Sequence, residues 1–137
     1  MPLTIAGGTR VSRNRKDKKN MNHHRLKCYS LLLETAKSMP SLLRQIPRGE
    51  SYMIDQLKRA LASAILNLSE GNGRTSLKER SRFFDISMAS ISECMACLDV
   101  LEAYSSVPSA FLKSVLCSNL KLAYAMIRRL KVVYSIQ

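Results

Sequence analysis

Histidine is nearly absent from this 137-residue chain: the two present are adjacent, His23 and His24. A nucleophilic site of the Ser–His–acid kind needs an imidazole held opposite its nucleophile, so the chain argues against that class of hydrolase. Neighbouring imidazoles in a flexible arm also chelate poorly. With no acid or cysteine beside them, His23 and His24 are expected to be solvated. Long apolar runs are lacking too. None approaches the ~20 residues that cross a bilayer, and no apolar stretch follows the basic N-terminus as a signal peptide requires. The expected setting is cytoplasmic, with no membrane partner. No stretch alternates apolar and polar residues with period two for long enough to argue a strand. The phosphate-loop pattern G-x-x-x-x-G-K-[ST] is missing.

Acidic residues are scarce: ten Asp/Glu stand against 22 Lys/Arg, a net charge of +12. Seven of the basic residues and one acid fall within residues 1–25, so this short arm carries half of the excess. Such an imbalance favours polyanionic partners, chiefly nucleic acid, through counterion release. A solubilising surface is the competing account. Residues 1–22 lack periodicity, and Arg10 to Asn20 should be disordered in isolation. The periodic pattern begins just after Met21. A start there would remove the arm and half of the charge argument.

What is present is helical periodicity. One domain is expected from the length, with a 46% hydrophobic fraction sufficient for a single core. A first helix is predicted from about His24 to Gln45, with seam residues Tyr29, Leu32, Ala36, Met39, Leu43 and Ile46. The seam keeps phase across Pro40, which argues one kinked helix rather than two. Pro47-Arg48-Gly49 stops it. A second helix, about Ser51 to Ser69, presents Ile54, Leu57, Leu61, Ala64 and Leu68. Ala60, Ala62, Ser63 and Ala64 make one of its sectors thin enough for close helix approach. A third, about Leu77 to Tyr104, presents Phe84, Met88, Ile91, Met95 and Leu98. A fourth, about Ser109 to Ser135, presents Leu116, Leu120, Ala123, Ile127 and Leu130, with Ser109 a candidate N-cap. Short links between helices of similar length predict an all-α, up-down-up-down antiparallel four-helix bundle over residues 23–137, preceded by the basic arm. Apolar residues on more than one face, such as Leu31 and Leu33 or Val132 and Val133, suggest a homo-oligomer.

Cysteine offers little chemistry. Cys28, Cys94, Cys97 and Cys117 all fall within predicted helices. Cys94-Met95-Ala96-Cys97 is a C-x-x-C, but it lies deep in the third helix. A redox pair sits at an exposed helix start, and a zinc site needs a second pair. Buried free thiols in a reducing compartment are expected.

The informative stretch joins the second and third helices: Asn67-Leu68-Ser69-Glu70-Gly71-Asn72-Gly73-Arg74-Thr75-Ser76-Leu77-Lys78-Glu79. Gly71 and Gly73 are expected to supply backbone freedom at the helix exit. Ser76 and Glu79 form an S-x-x-E capping box. Glu70 opposes the dipole at a helix C-terminus and wants a cation, for which Arg74 is the local candidate. Ser90 and Glu93 share a face of the third helix, where a polar pair can fix register through an inter-helix hydrogen bond. Arg74, Lys78, Arg80 and Arg82 cluster about the start of the third helix, where free N–H groups favour anions. Lys58 and Arg59 lie off the second seam and are expected to face water or a partner. Arg128 and Arg129, with Lys131, form a further basic cluster that also suits a helix C-terminus.

These residues resemble a known family. The joint, followed by Arg82-Phe83-Phe84-Asp85-Ile86-Ser87 and Ser90-Ile91-Ser92-Glu93, is similar to the four-helix bundle proteins encoded in 23S rRNA intervening sequences. That family shows an N-I-x-E-G-x-G-R-x-S-x-x-E core, then an aromatic pair and an S-x-x-E. Leu26-Lys27-Cys28-Tyr29 resembles its first helix opening, and Gln56-Leu57-Lys58-Arg59-Ala60 its second. The likeness spans about residues 26–135. The arm and Pro40 depart from it. The resemblance implies a homopentameric bundle without enzymatic activity. It makes Asn67, Glu70, Gly71, Gly73, Ser76, Glu79, Ser90 and Glu93 a structural signature. Relatives include the accessory protein of diversity-generating retroelements, a basic pentamer that binds nucleic acid and a reverse transcriptase.

The expected protein is therefore non-enzymatic, with no convergent acid, base and nucleophile, no cofactor and no metal. It would bind RNA or DNA through Lys58, Arg59, Arg74, Lys78, Arg80, Arg82, Arg128 and Arg129. An accessory subunit of a retroelement reverse transcriptase is the second reading, and a structural scaffold with incidental charge the third.

Overall fold

The computed structural model describes residue 23, residues 26–104 and residues 110–135. Helix α1 spans Lys27–Leu43, α2 Ser51–Gly73, α3 Leu77–Tyr104 and α4 Ala110–Ser135, with a 3-10 turn at Arg48–Glu50 before α2. Each helix packs on its neighbours in sequence, and α1 closes the ring against α4. Antiparallel register is visible in paired residues. Ser63 meets Ser90 while Gly71 approaches Phe84 across α2 and α3. Lys113 meets Asp99 and Glu102, while Lys131 meets Asp85, across α3 and α4. This is the four-helix bundle that the periodicity predicts. The arm at residues 1–22, the Ser109 cap and Ser105 to Pro108 lie outside the described residues.

The core follows three of the four seams. Leu57, Leu61, Ala64 and Leu68 are buried, as are Phe84, Met88, Ile91 and Leu98, and Leu116, Leu120, Ala123 and Ile127. In α1 the stripe is turned. Cys28, Leu32, Thr35, Met39 and Leu42 are buried, whereas Tyr29, Ala36 and Leu43 from the expected seam are only partly so. The reason is that α1 leans on α4 more than on α2. Ala36 and Leu43 instead line an open groove of ≈ 230 Å³ between α1 and α2, with Met39, Pro40, Leu61 and Ile65. Buried Thr35 is tolerated because its hydroxyl donates to the Leu31 carbonyl at 2.9 Å. The helix continues through Pro40, then ends with Arg44 N–H donating to the Pro40 carbonyl at 3.2 Å.

The α2–α3 interface is the most extensive in the bundle. The thin sector of α2 explains this: Ala60 and Ala64 are buried there, and Gly71 is too. Polar side chains then lock the approach. Ser87 is fully buried and donates to the Ala64 carbonyl at 2.6 Å. The Ser63 and Ser90 hydroxyls lie 2.8 Å apart. Ala62, assigned to the same thin sector, is exposed instead and flanks the groove with α1.

The cysteines are free. Burial pushes the Cys94 thiol up to about 12 and the Cys28 thiol up to about 11, and it raises Cys97 as well. Thiolate is the reactive form, so these three are protected in the folded protein. Cys117 alone is half-buried. A disulfide-exchange reagent at pH 8 should modify one thiol quickly, at Cys117, and the other three only as fast as the bundle opens. Rapid labelling of Cys94 and Cys97 by mass spectrometry would restore the C-x-x-C as a chemical motif.

Candidate nucleic-acid interface

The α2–α3 joint is built differently from the expected glycine hinge. Helix α2 does not end at Ser69; it runs through Gly71-Asn72-Gly73. Neither glycine adopts a left-handed conformation. Gly71 is required for space: a Cβ there would lie 2.9 Å from two ring carbons of Phe84 and 3.0 Å from the Phe83 Cβ. A Cβ on Gly73 would meet nothing within 4 Å. Arg74 is extended and its N–H donates to the Gly71 carbonyl at 3.3 Å. The Glu79 N–H donates to Ser76 Oγ at 3.4 Å, the first half of the capping box.

Glu70 and Glu79 converge on Arg74. The guanidinium is 2.5 Å from Glu70 and 3.7 Å from Glu79, and it lies 5.0 Å from the Phe83 ring centroid. Asn67 completes the signature by donating to the Ser63 carbonyl at 2.8 Å and to the Ser63 hydroxyl at 3.1 Å. It thereby orients the serine that meets Ser90. Glu93 accepts a hydrogen bond from Gln56 at the exposed rim of the same interface. Ser90 and Glu93 therefore both reach α2, through separate partners.

Arg80 is the main correction among the expected phosphate ligands. It is 6% exposed. Its Nε donates to the Arg74 carbonyl at 2.7 Å and its Nη2 to the Asn72 carbonyl at 3.1 Å. The last carbonyls of a helix lack intrahelical donors and carry the negative end of the dipole. Arg80 satisfies that end of α2 from inside the bundle and cannot face a phosphate in this arrangement. A sequence signal for this existed: Arg80 lies four residues before Phe84, so it continues the buried stripe of α3.

Exposed cations stand towards both ends of the bundle, with Arg44, Arg48, Lys58 and Arg59 towards the end where α1 passes into α2. Lys78 and Arg82 lie in the first turns of α3, and Arg128 and Arg129 in the last turns of α4. In the antiparallel bundle these segments share one end, which is also where α1 begins. Arg82 has its guanidinium 5.9 Å from the Phe83 ring. Lys131 is held by Asp85. Lys78, Arg128 and Arg129 make no ion pair among the described residues. Arg74 lies at this end but is already balanced by two carboxylates. Lys58 and Arg59 are not brought into the cluster. They are exposed on α2, 15 and 14 residues before Gly73, hence roughly 20 Å along the axis. Near that opposite end Lys113 is enclosed by Asp99 and Glu102.

His23 is not simply solvated as expected: its ring meets Tyr29 edge-on with centroids 4.7 Å apart. His24 lies outside the described residues. Among the described residues no cluster of His, Cys, Asp and Glu could hold a metal. No described helix is long and apolar enough to cross a membrane.

No curated protein matches the chain. Residues 24–127 match a protein-family description, and that span begins where the basic arm gives way to α1 and covers most of the bundle. By that match the chain belongs to the family of the 23S rRNA-intervening sequence protein.

Proposed function

We propose that the protein is a non-enzymatic, ring-forming bundle that binds RNA or another nucleic acid through one end. The observation that carries this reading is a cluster of exposed cations: Lys78, Arg82, Arg128 and Arg129 lie at the end of the bundle where the chain enters from its Lys/Arg-rich N-terminal sequence. Ring assembly is supported by exposed apolar residues, which include members of α2 and α4 as well as Leu77 and Tyr104 on α3. Leu66 on α2 is 66% exposed and Leu122 on α4 is 54% exposed, with Val133 three turns beyond it on the same face. Helices α2 and α4 stand diagonally across the bundle, so these patches face different ways. Patches on opposite sides suit a head-to-tail contact rather than a two-fold dimer, and such a contact closes into a ring when the rotation between neighbours divides a full turn. A cyclic ring would direct every basic end to the same side and form one polycationic rim.

Replacing Lys78, Arg82, Arg128 and Arg129 together by alanine should lower affinity for a 20-nucleotide RNA by tenfold or more at low salt. It should also flatten the dependence of log K on log salt by up to about three to four units, close to one for each phosphate no longer neutralised. Lys58→Ala with Arg59→Ala should do much less. Light scattering on the same samples should show the assembled size unchanged. Wild-type protein that binds no RNA or DNA at low salt would leave the charge incidental and favour the scaffold reading. Co-purification with a reverse transcriptase would favour the accessory-subunit reading.

A further inference from the structure

An open groove of ≈ 290 Å³ lies between α3 and α4, lined by Met88, Tyr124, Arg128, Lys131 and Val132. We infer that this groove is a receptor for one unstacked nucleobase and its phosphate, which would make the protein a reader of single-stranded rather than duplex nucleic acid.

The inference rests on the nucleic-acid reading above and adds the chemistry of the ligand. Met88 is buried and forms an apolar floor, while Val132 is exposed at the side. Tyr124 is half-buried, packed against the core along one part and open to the groove on the other. An aromatic ring beside a thioether and a branched aliphatic side chain suits a flat π-system. Arg128 is exposed and makes no ion pair among the described residues. It lies four residues after Tyr124, so the two share a face of α4. Lys131 is held at the mouth by Asp85 on α3, and its ammonium has further donors to offer. The arrangement thus joins an aromatic and apolar interior to a cationic rim, as in proteins that stack bases of a single strand and follow its phosphates. Bases in a duplex are stacked and paired and cannot enter such a groove. The groove between α1 and α2 has Lys58 as its single cation and lacks an aromatic lining.

The test is fluorescence anisotropy with a labelled 20-nucleotide single-stranded RNA, and with the same strand annealed to its complement, using the full-length protein. Tyr124→Leu keeps apolar volume but removes the ring; circular dichroism and light scattering confirm that each variant retains fold and assembly. The proposal expects Tyr124→Leu to weaken single-strand binding about tenfold and to leave duplex binding unchanged. Tyr124→Phe should retain wild-type affinity. Arg128→Ala should weaken both substrates. Equal losses for both substrates in Tyr124→Leu, or no loss in either, would overturn the base-receptor assignment while leaving nucleic-acid binding intact. Absence of wild-type binding to either RNA would remove the underlying reading with it. Failure of RNA to shift the Met88 methyl resonance, where a peptide carrying Glu and Phe does so, would assign the groove to a protein partner and overturn the proposal.

Discussion

Replacing Arg80 by alanine should destabilise the folded protein by about 3 kcal/mol, among the larger effects available to a single substitution in this bundle. The side chain is almost fully buried and makes two charge-assisted hydrogen bonds, to the Arg74 and Asn72 carbonyls. Hydrogen bonds involving a charged group contribute about 1.5–3 kcal/mol each in mutational series. Truncation removes both donors and leaves the buried Asn72 carbonyl and the part-buried Arg74 carbonyl without them at the negative end of α2. Burying the guanidinium has its own cost, and in some proteins an apolar replacement for a buried charge is neutral or better. Arg80→Met separates these possibilities because it keeps most of the volume but supplies no donor. If desolvation dominated, Arg80→Met would match the wild type. If the two carbonyls need their donors, it should fall close to Arg80→Ala. Arg80→Lys should recover part of the loss, since an ammonium reaches a carbonyl but cannot reproduce the fork. Urea denaturation midpoints at equal m-values provide the measurement. RNA affinity of the folded Arg80→Lys protein should be unchanged, because the side chain faces inward. A large loss of RNA binding with stability intact would return Arg80 to the interface.

The different fate of neighbouring cations shows where periodicity stops being informative. The number of helices and three of four core stripes are legible because burial repeats with the helical turn, and each stripe contains five or more apolar positions; the exit of α2, four residues beyond the expected Ser69, is not. The α1 stripe is not, because Cys28 and Leu42 compete with Tyr29 and Leu43 for the same faces. Only the tilt of α1 towards α4 decides between them. At the joint, composition identifies the right segment but suggests the wrong role for Arg80, Gly71 and Gly73. Charge groups Arg80 with Lys78 and Arg82, although its phase matches Phe84. Gly71 reads as a flexible exit, because a sequence cannot show that a phenylalanine from the next helix fills the space a side chain would take. The Glu70–Arg74 pair is legible from spacing and dipole. The Asn67–Ser63–Ser90 chain is not, because it depends on the register of two helices.

Gly71→Ala is the sharper test of that packing, because two local effects oppose each other. In a helix interior alanine is favoured over glycine by about 1 kcal/mol. Against this, the new Cβ would lie 2.9 Å from two carbons of a Phe84 ring that is completely buried. The ring is not a flexible chain end and has no solvent to move into. The helices cannot easily separate either, since Ser87 and Ser90 tie α3 to α2 one and two turns away. Overpacking of this kind costs about 1–3 kcal/mol, and here the upper part of that range applies. The net result should be a loss of about 1–2 kcal/mol after the helix-propensity gain is offset. Gly73→Ala should move the other way by up to about 1 kcal/mol, because its Cβ meets nothing and its backbone is not left-handed. Opposite signs for two glycines two residues apart would be hard to obtain from backbone flexibility alone. Phe84→Leu supplies the control. It should destabilise the wild type by opening a cavity but cost less in the Gly71→Ala background, giving a favourable coupling energy in a double-mutant cycle. A more stable Gly71→Ala protein with no coupling to Phe84 would mean that α2 and α3 do not approach as described. The consequence would extend to the basic end: Phe83, also in contact with the added Cβ, carries the ring beside which both Arg74 and Arg82 lie.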